Sequence, residues 1–236
     1  MPRKLIDVSH EIEAGMTTYP GLPAPAISDY LSRDAVPGRY AEGTTFQIGR
    51  IEMIANTGTY VDAPFHRFAE GGDLASLPLE RLADLEGLVI DATRRTNRAI
   101  DVEWFENLPL KNRAVLVRTG WDAYWRTEQY GHDAPFLTRA AAEFLVAAEA
   151  ALVGIDSVNI DDMNDGQRPA HTVLLGAGIP IAEHLRNLDK LPLLGFRFHA
   201  VPVKFRGVGT FPVRAYAVVE ESSLPTGRGT DPPCSD

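Results

Sequence analysis

Asn56-Thr-Gly-Thr-Tyr-Val-Asp-Ala-Pro-Phe-His66 ends a mainly apolar run on a carboxylate and an imidazole, and a glycine-rich turn at Gly71-Gly72 follows. Asp62 and His66 stand four residues apart with Pro64 between them. Proline fixes the backbone there and lowers the entropy cost of aligning both groups, which suits metal ligation or general acid/base chemistry. By composition alone, an Asp-x-x-x-His loop reads as an exposed surface pair. The two readings differ in where they put the pair, in a pocket or in solvent.

The same stretch resembles the signature of the cyclase family, His-x-Gly-Thr-His-x-Asp-x-Pro-x-His, whose best-known members are bacterial kynurenine formamidases. Gly58-Thr59, Asp62, Pro64 and His66 match it, while Asn56 and Tyr60 replace the two leading histidines. Further stretches resemble the family in order and spacing over roughly residues 5 to 220. Ile6-Asp-Val-Ser-His10 and Met16-Thr-Thr-Tyr-Pro-Gly21 resemble its opening, with Tyr19 at the place of an aromatic residue that lines the substrate pocket. Val117-Arg-Thr-Gly-Trp121 and Val153-Gly-Ile-Asp156 resemble two core strands, and His171 with Glu183 twelve residues on matches the second metal-binding pair. Val201-Pro-Val-Lys204 and Pro212-Val-Arg-Ala215 resemble the closing strands.

The chain has 236 residues, 44% of them hydrophobic, enough for one substantial core and with nothing that demands a second domain. We expect a single domain over 1–221 and a flexible tail over 222–236, where Ser, Gly, Thr and Pro leave little to bury. A net charge of −9 without a basic stripe argues against nucleic acid and for a small-molecule substrate. No apolar run is long enough for a membrane span, no secretory leader is visible, and the single Cys234 forms no internal disulfide, which together predict a cytoplasmic protein. Cys234 lacks a neighbouring base or cation and is not expected to act in catalysis.

Apolar, β-branched content predicts strands at 87–92, 114–118, 152–156, 197–203 and 213–220. Thr138 is the expected N-cap of a helix running to about Ala150, with Phe144, Leu145, Ala148 and Leu152 toward the core. Strand, helix and strand over 114–156 make a βαβ unit with parallel strands, so the fold class is α/β. Ligands gather at the carboxyl ends of such strands, which points to Thr119-Gly-Trp121 and Asp156-Ser-Val-Asn159. The resemblance implies a swivelling β/β/α domain with a curled mixed sheet.

It also implies a paired metal site. In the family one ion takes both leading histidines and the aspartate; the other takes the aspartate with the later His and Glu, and the final His is the acid/base. Carried over, Asp62, His171 and Glu183 are the candidate metal ligands and His66 the acid/base group. Asn56 and Tyr60 cannot replace imidazoles, because an amide is a poor donor to zinc and a phenol must first lose its proton. The expectation is therefore one divalent ion, zinc, manganese or iron by ligand type, or none, with Tyr60 or Asn56 steadying an oxyanion. Hydrolysis of an amide, lactone or small cyclic substrate follows; proton transfer without metal, as in a lyase or isomerase, or ligand binding without turnover are the alternatives. Family members assemble as dimers or tetramers, so a homodimer or homotetramer is expected.

Tyr19, Phe65 and Trp121 are the expected substrate-binding aromatics, with Phe46 and Trp125 as weaker ones. His10 is expected to be structural, His132 exposed, His184 turned away from the site and His199 half-buried in a strand. Asp161-Asp-Met-Asn-Asp165 lacks the calcium-loop pattern and reads as a solvated loop, while the resemblance implies that this region closes over the site.

Overall fold

Arg113-Ala-Val-Leu-Val-Arg118 is apolar at four consecutive positions, and a strand of that kind needs cover on both faces. A computed structural model supplies that cover; it describes residues 2–17, 19, 21–35 and 40–220, so the expected tail with Cys234 lies outside the described residues. In chain order the strands are β1 (Arg3–Asp7), β2 (Ala26–Leu31), β3 (Ile48–Glu52), β4 (Tyr60–Asp62), β5 (Leu85–Asp91), β6 (Ala99–Ile100) and β7 (Arg113–Arg118). There follow β8 (Phe136–Leu137), β9 (Leu152–Ile155), β10 (Ile181–Glu183), β11 (Leu194–His199), β12 (Thr210–Pro212) and β13 (Tyr216–Glu220), with helices α1 (Arg139–Ala147) and α2 (Pro169–Gly176).

A nine-stranded sheet in the order β1-β13-β11-β5-β7-β9-β10-β4-β12 forms the body of the fold. Its centre, β5-β7-β9-β10, is parallel, and the strands on either side are antiparallel. Strand residues alternate faces, and this separates two cores. Val115 and Val117 pack with Val153, Ile155 and the apolar sides of α1 and α2, including Leu145, Leu174 and Leu175. Ala114 and Leu116 face the other way, where Val61 and Ala182 from one end of the sheet meet Phe196, Phe198, Ala217 and Val219 from the other. That second core is closed by the sheet curling over itself. Gly87 and Gly154 allow the approach, since a Cβ at Gly87 would meet the Phe196 ring at 2.0 Å and one at Gly154 would meet Leu185 at 2.7 Å.

The predicted βαβ unit is present, with β7 and β9 parallel and α1 between them in sequence. Thr138 caps α1 by accepting from the Ala141 N–H at 3.0 Å. The helix stops at Ala147 instead of Ala150, because Glu149 takes a left-handed backbone at φ 57° and turns the chain; Leu152, expected on the helix face, belongs to β9. β11 ends at His199, short of the expected 203, before Pro202, which has no N–H to give to a ladder. β2 and β3 form a separate antiparallel ribbon. Among the described residues no helix is long and apolar enough to cross a membrane.

Candidate active site

β4 lies between β10 and β12, and its register creates the site. Tyr60 stands opposite Glu183, and Asp62 stands between Ile181 on one side and Thr210 on the other. Tyr60 and Asp62 are two residues apart and so share a face, while Val61 points into the second core. Cross-strand neighbours on one face touch, which brings Tyr60, Asp62, Glu183 and Thr210 together. The Tyr60 hydroxyl donates to Glu183 Oε2 at 2.6 Å, and the Ile160 N–H donates to Oε1 at 2.6 Å. The Thr210 hydroxyl donates to Asp62 Oδ1 in a short hydrogen bond.

His66 arrives on a tight turn over Pro64–His66 wedged between two glycines. A Cβ at Gly209 would lie 2.4 Å from the His66 backbone nitrogen, and one at Gly71 would lie 2.6 Å from the Pro64 carbonyl carbon. Both positions therefore require glycine for close backbone approach. His66 Nδ1 sits 2.8 Å from Thr210 Oγ1. Because that hydroxyl gives its proton to Asp62, its oxygen accepts from Nδ1–H, which leaves Nε2 of His66 unprotonated in the neutral ring.

His171 comes from the first turn of α2, and the residue that orients it is Asp161. The Asp161 carboxylate accepts from the Ala170 N–H at 2.6 Å, from the His171 N–H at 3.1 Å and from His171 Nδ1 at 2.7 Å. Asp161 is only 2% exposed, so the expectation of a solvated Asp161–Asp165 loop is corrected at its first residue: three donors at the helix start repay its burial. With Nδ1 held, Nε2 of His171 lies 3.6 Å from Asp62 Oδ2 and 3.7 Å from Glu183 Oε1. Burial disfavours the imidazolium, yet the carboxyl groups of Glu183, Asp161 and Asp62 outweigh it and push the His171 pKa up to about 10. Burial and neighbouring Asp62 push Glu183 up to about 7 against the pull of His171.

Asp62 is fully buried while His66 is exposed, so the pair is not a surface pair but one that joins the interior to the surface, and Asp62 Oδ2 has no hydrogen-bond partner among the described residues. Ligand atoms of Asp62, His66 and His171 lie within 4.8 Å of one another, a grouping that could hold a metal ion. The donor set fits such an ion: an orphaned carboxylate oxygen, an imidazole nitrogen aimed at it, and a carboxylate behind that imidazole. Glu183 stands beside this group with both oxygens already accepting hydrogen bonds.

A cavity of about 270 Å3 opens on these groups, lined by Tyr60, His66, His171 and Glu183 among others. Asn56 lines it too. Burial, Glu183 and Asp62 hold the Tyr60 pKa well above the usual phenol value, so it stays a neutral donor. Its one proton is given to Glu183, which corrects the expectation that it faces an oxyanion. Tyr19 lines the cavity as expected.

Phe65 and Trp121 do not line it. Successive residues of a 3-10 turn point about a third of a revolution apart, so the turn that delivers His66 carries Phe65 elsewhere. Trp121 packs instead in a separate cluster with Tyr130 and Val158, its indole N–H donating to the Tyr130 carbonyl at 3.0 Å. Trp125 stacks on His10 there, and Phe46 is exposed against Tyr40. His184 is buried behind the site against Tyr130 Oη at 2.9 Å, His199 stacks on Tyr216, and His132 is exposed, all as expected. Thr210, Asp161, Arg67 and Arg168 were not read from sequence; only an aspartate ahead of the Pro169-Ala-His171 helix start offered a signal.

Comparison with known proteins places the chain among enzymes of similar sequence and fold. The kynurenine formamidase of Erythrobacter litoralis is 29% identical over 202 residues, covering 86% of this chain and 88% of its own. A solved structure described as a "Potential Metal-Dependent Hydrolase With Cyclase Activity" is 26% identical with a TM-score of 0.77, covering 93% of this chain and all of its own. Isatin hydrolase A from Labrenzia aggregata, bound to benzyl benzoate, shares the fold at 23% identity and a TM-score of 0.78, covering 93% and 94% of the two chains. The family described as "Putative cyclase" matches residues 6–162, more than half of the 236, and the chain belongs to that family.

Proposed function

We propose that the protein is a metal-dependent hydrolase of a small amide, lactone or cyclic substrate, with one metal site where its family's pattern has two. The observation that carries this reading is the packing of three buried carboxyl groups, Asp62, Asp161 and Glu183, around the single imidazole of His171. Buried charge without a counter-ion costs several kcal/mol per group, and a divalent cation offsets that cost. Asp62 and His171, with Glu183 as third donor, would hold it, and zinc or manganese suits the set. When bound, such an ion acts as a Lewis acid that polarises the scissile carbonyl and acidifies water. Asn56 and Tyr60, which stand where the two leading histidines would be, offer no imidazole for a second ion.

The chain's own residues supply the proton transfers. His66 Nε2, left free by the Thr210 hydrogen bond, takes a proton from the attacking water and returns it to the leaving nitrogen or oxygen. Asn56, on the cavity wall, would steady the oxyanion through its side-chain amide. A metal-free acid/base site would rely on the His171 imidazolium alone to balance three buried carboxyl groups. His66→Gln tests the assignment: turnover falls by about 10²- to 10⁴-fold while bound metal and melting temperature hold. Unchanged turnover would remove His66 from the mechanism.

The reading includes a cytoplasmic setting, in keeping with a single cysteine in the chain, and a homo-oligomer. Support for the oligomer comes from the β2–β3 ribbon, whose Ile27, Tyr30, Ile48 and Ile51 are all exposed.

A further inference from the structure

Two arginines line the cavity that holds His66 and His171, and the catalytic account uses neither. Arg67 follows His66 on the turn; its Nε donates to Thr172 Oγ1 at 3.2 Å and its guanidinium lies over the Phe68 ring at 5.4 Å. Arg168 comes just before α2, donating through Nη1 to the Asp162 carbonyl at 3.1 Å and through Nη2 to Tyr19 Oη at 3.3 Å. All these partners are neutral. Among the described residues neither arginine forms an ion pair; Arg81 and Arg95 are likewise without one, but they donate to backbone carbonyls away from this cavity. Two guanidinium groups on the wall of one cavity, Arg67 exposed and Arg168 half-buried, have donors left for an external anion.

The backbone supports a role at Arg168. It has φ 49° and ψ 60°, a left-handed conformation that a non-glycine residue rarely adopts and that a following proline disfavours further. Strain of this kind persists where surrounding structure enforces it, characteristically at ligand sites. Tyr19 and Leu22 add an aromatic and an aliphatic wall to the same cavity.

We propose that the substrate carries a carboxylate that Arg67 and Arg168 grip, with its ring against Tyr19 and Leu22 and its scissile carbonyl toward His66 and Asp62. This specificity rests on the hydrolase reading above. A rival role for the arginines is electrostatic balance for the buried acids, which would affect charged and neutral substrates alike.

The test compares 4-formamidobenzoate with its methyl ester, as substrates of the wild type and of the Arg67→Met and Arg168→Met variants. Binding of benzoate and benzamide is measured by calorimetry in parallel. The wild type is expected to favour the acid in kcat/KM, and each variant to lower the acid-to-ester ratio about 10- to 100-fold. Arg168→Lys, which keeps charge but loses the fork, should recover part of that ratio. A ratio that does not move, or equal losses on both compounds, would overturn the carboxylate site while leaving the hydrolase reading intact. Arginine-dependent binding of benzoate over benzamide without turnover of either formamide would support the carboxylate site and count against hydrolysis of this bond. Absence of any such binding preference together with absence of turnover would overturn the site.

Discussion

Asp161 shows how one carboxylate can set the chemistry of a site it does not line. Its two oxygens take both the opening N–H groups of α2 and the Nδ1 proton of His171, so the helix start and the His171 imidazole are fixed by one group. Replacing it by Asn would place an amide N–H against a backbone N–H or against the imidazole. Asp161→Asn should reduce metal affinity about 10- to 100-fold, more than its effect on thermal stability accounts for, as read by competition with a chelator. At this scale the sequence carried Asp62, His66, His171 and Glu183, because their spacing survives in a linear pattern. It did not carry Thr210 or Asp161. Thr210 meets Asp62 only through strand pairing across a separation of 148 residues, and Asp161 looked solvated because nothing local shows which donors surround it.

At the scale of elements, the site depends on short pieces held by long-range register. β4, β10 and β12 have three residues each, too few for a periodicity to be read, and none was foreseen as a strand. The longer apolar runs β5, β7 and β9 were legible, as was the Thr138 cap, because burial on both faces and a capping hydroxyl leave local marks. The loop that returns from β11 to β12 places Gly209 against the His66 turn, where a side chain has no room. Gly209→Ala should displace that turn, lowering kcat/KM by about 100-fold or more, since small misplacements of a catalytic group cost about that much. Circular dichroism should show the sheet retained; wild-type kinetics in this variant would mean that the turn yields without moving His66.

For the whole molecule, the curled sheet accounts for nearly everything except the β2–β3 ribbon. A two-stranded ribbon is marginal in water by itself, and this one exposes Ile51 at 62% and Tyr30 at 77%. A second copy of the chain covering it would resolve both facts. Sedimentation equilibrium should give a dimer or tetramer, and Ile51→Glu should shift it toward monomer; a monomeric wild type would contradict the assembly. Cyclase-family membership was legible across the chain because motif order outlasts the loss of individual ligands. The aromatic wall was less so, since Phe65 and Trp121 are apolar enough to pack and the fold uses Trp121 in a core cluster. The central claim is that the acid-rich centre around Asp62 and His171 is built for one divalent cation. Elemental analysis of protein purified without a histidine tag or chelator should find close to one transition-metal ion per chain, lost together with activity on chelation. Protein that carries none, takes up none when zinc or manganese is added and yet turns over substrate would contradict the account.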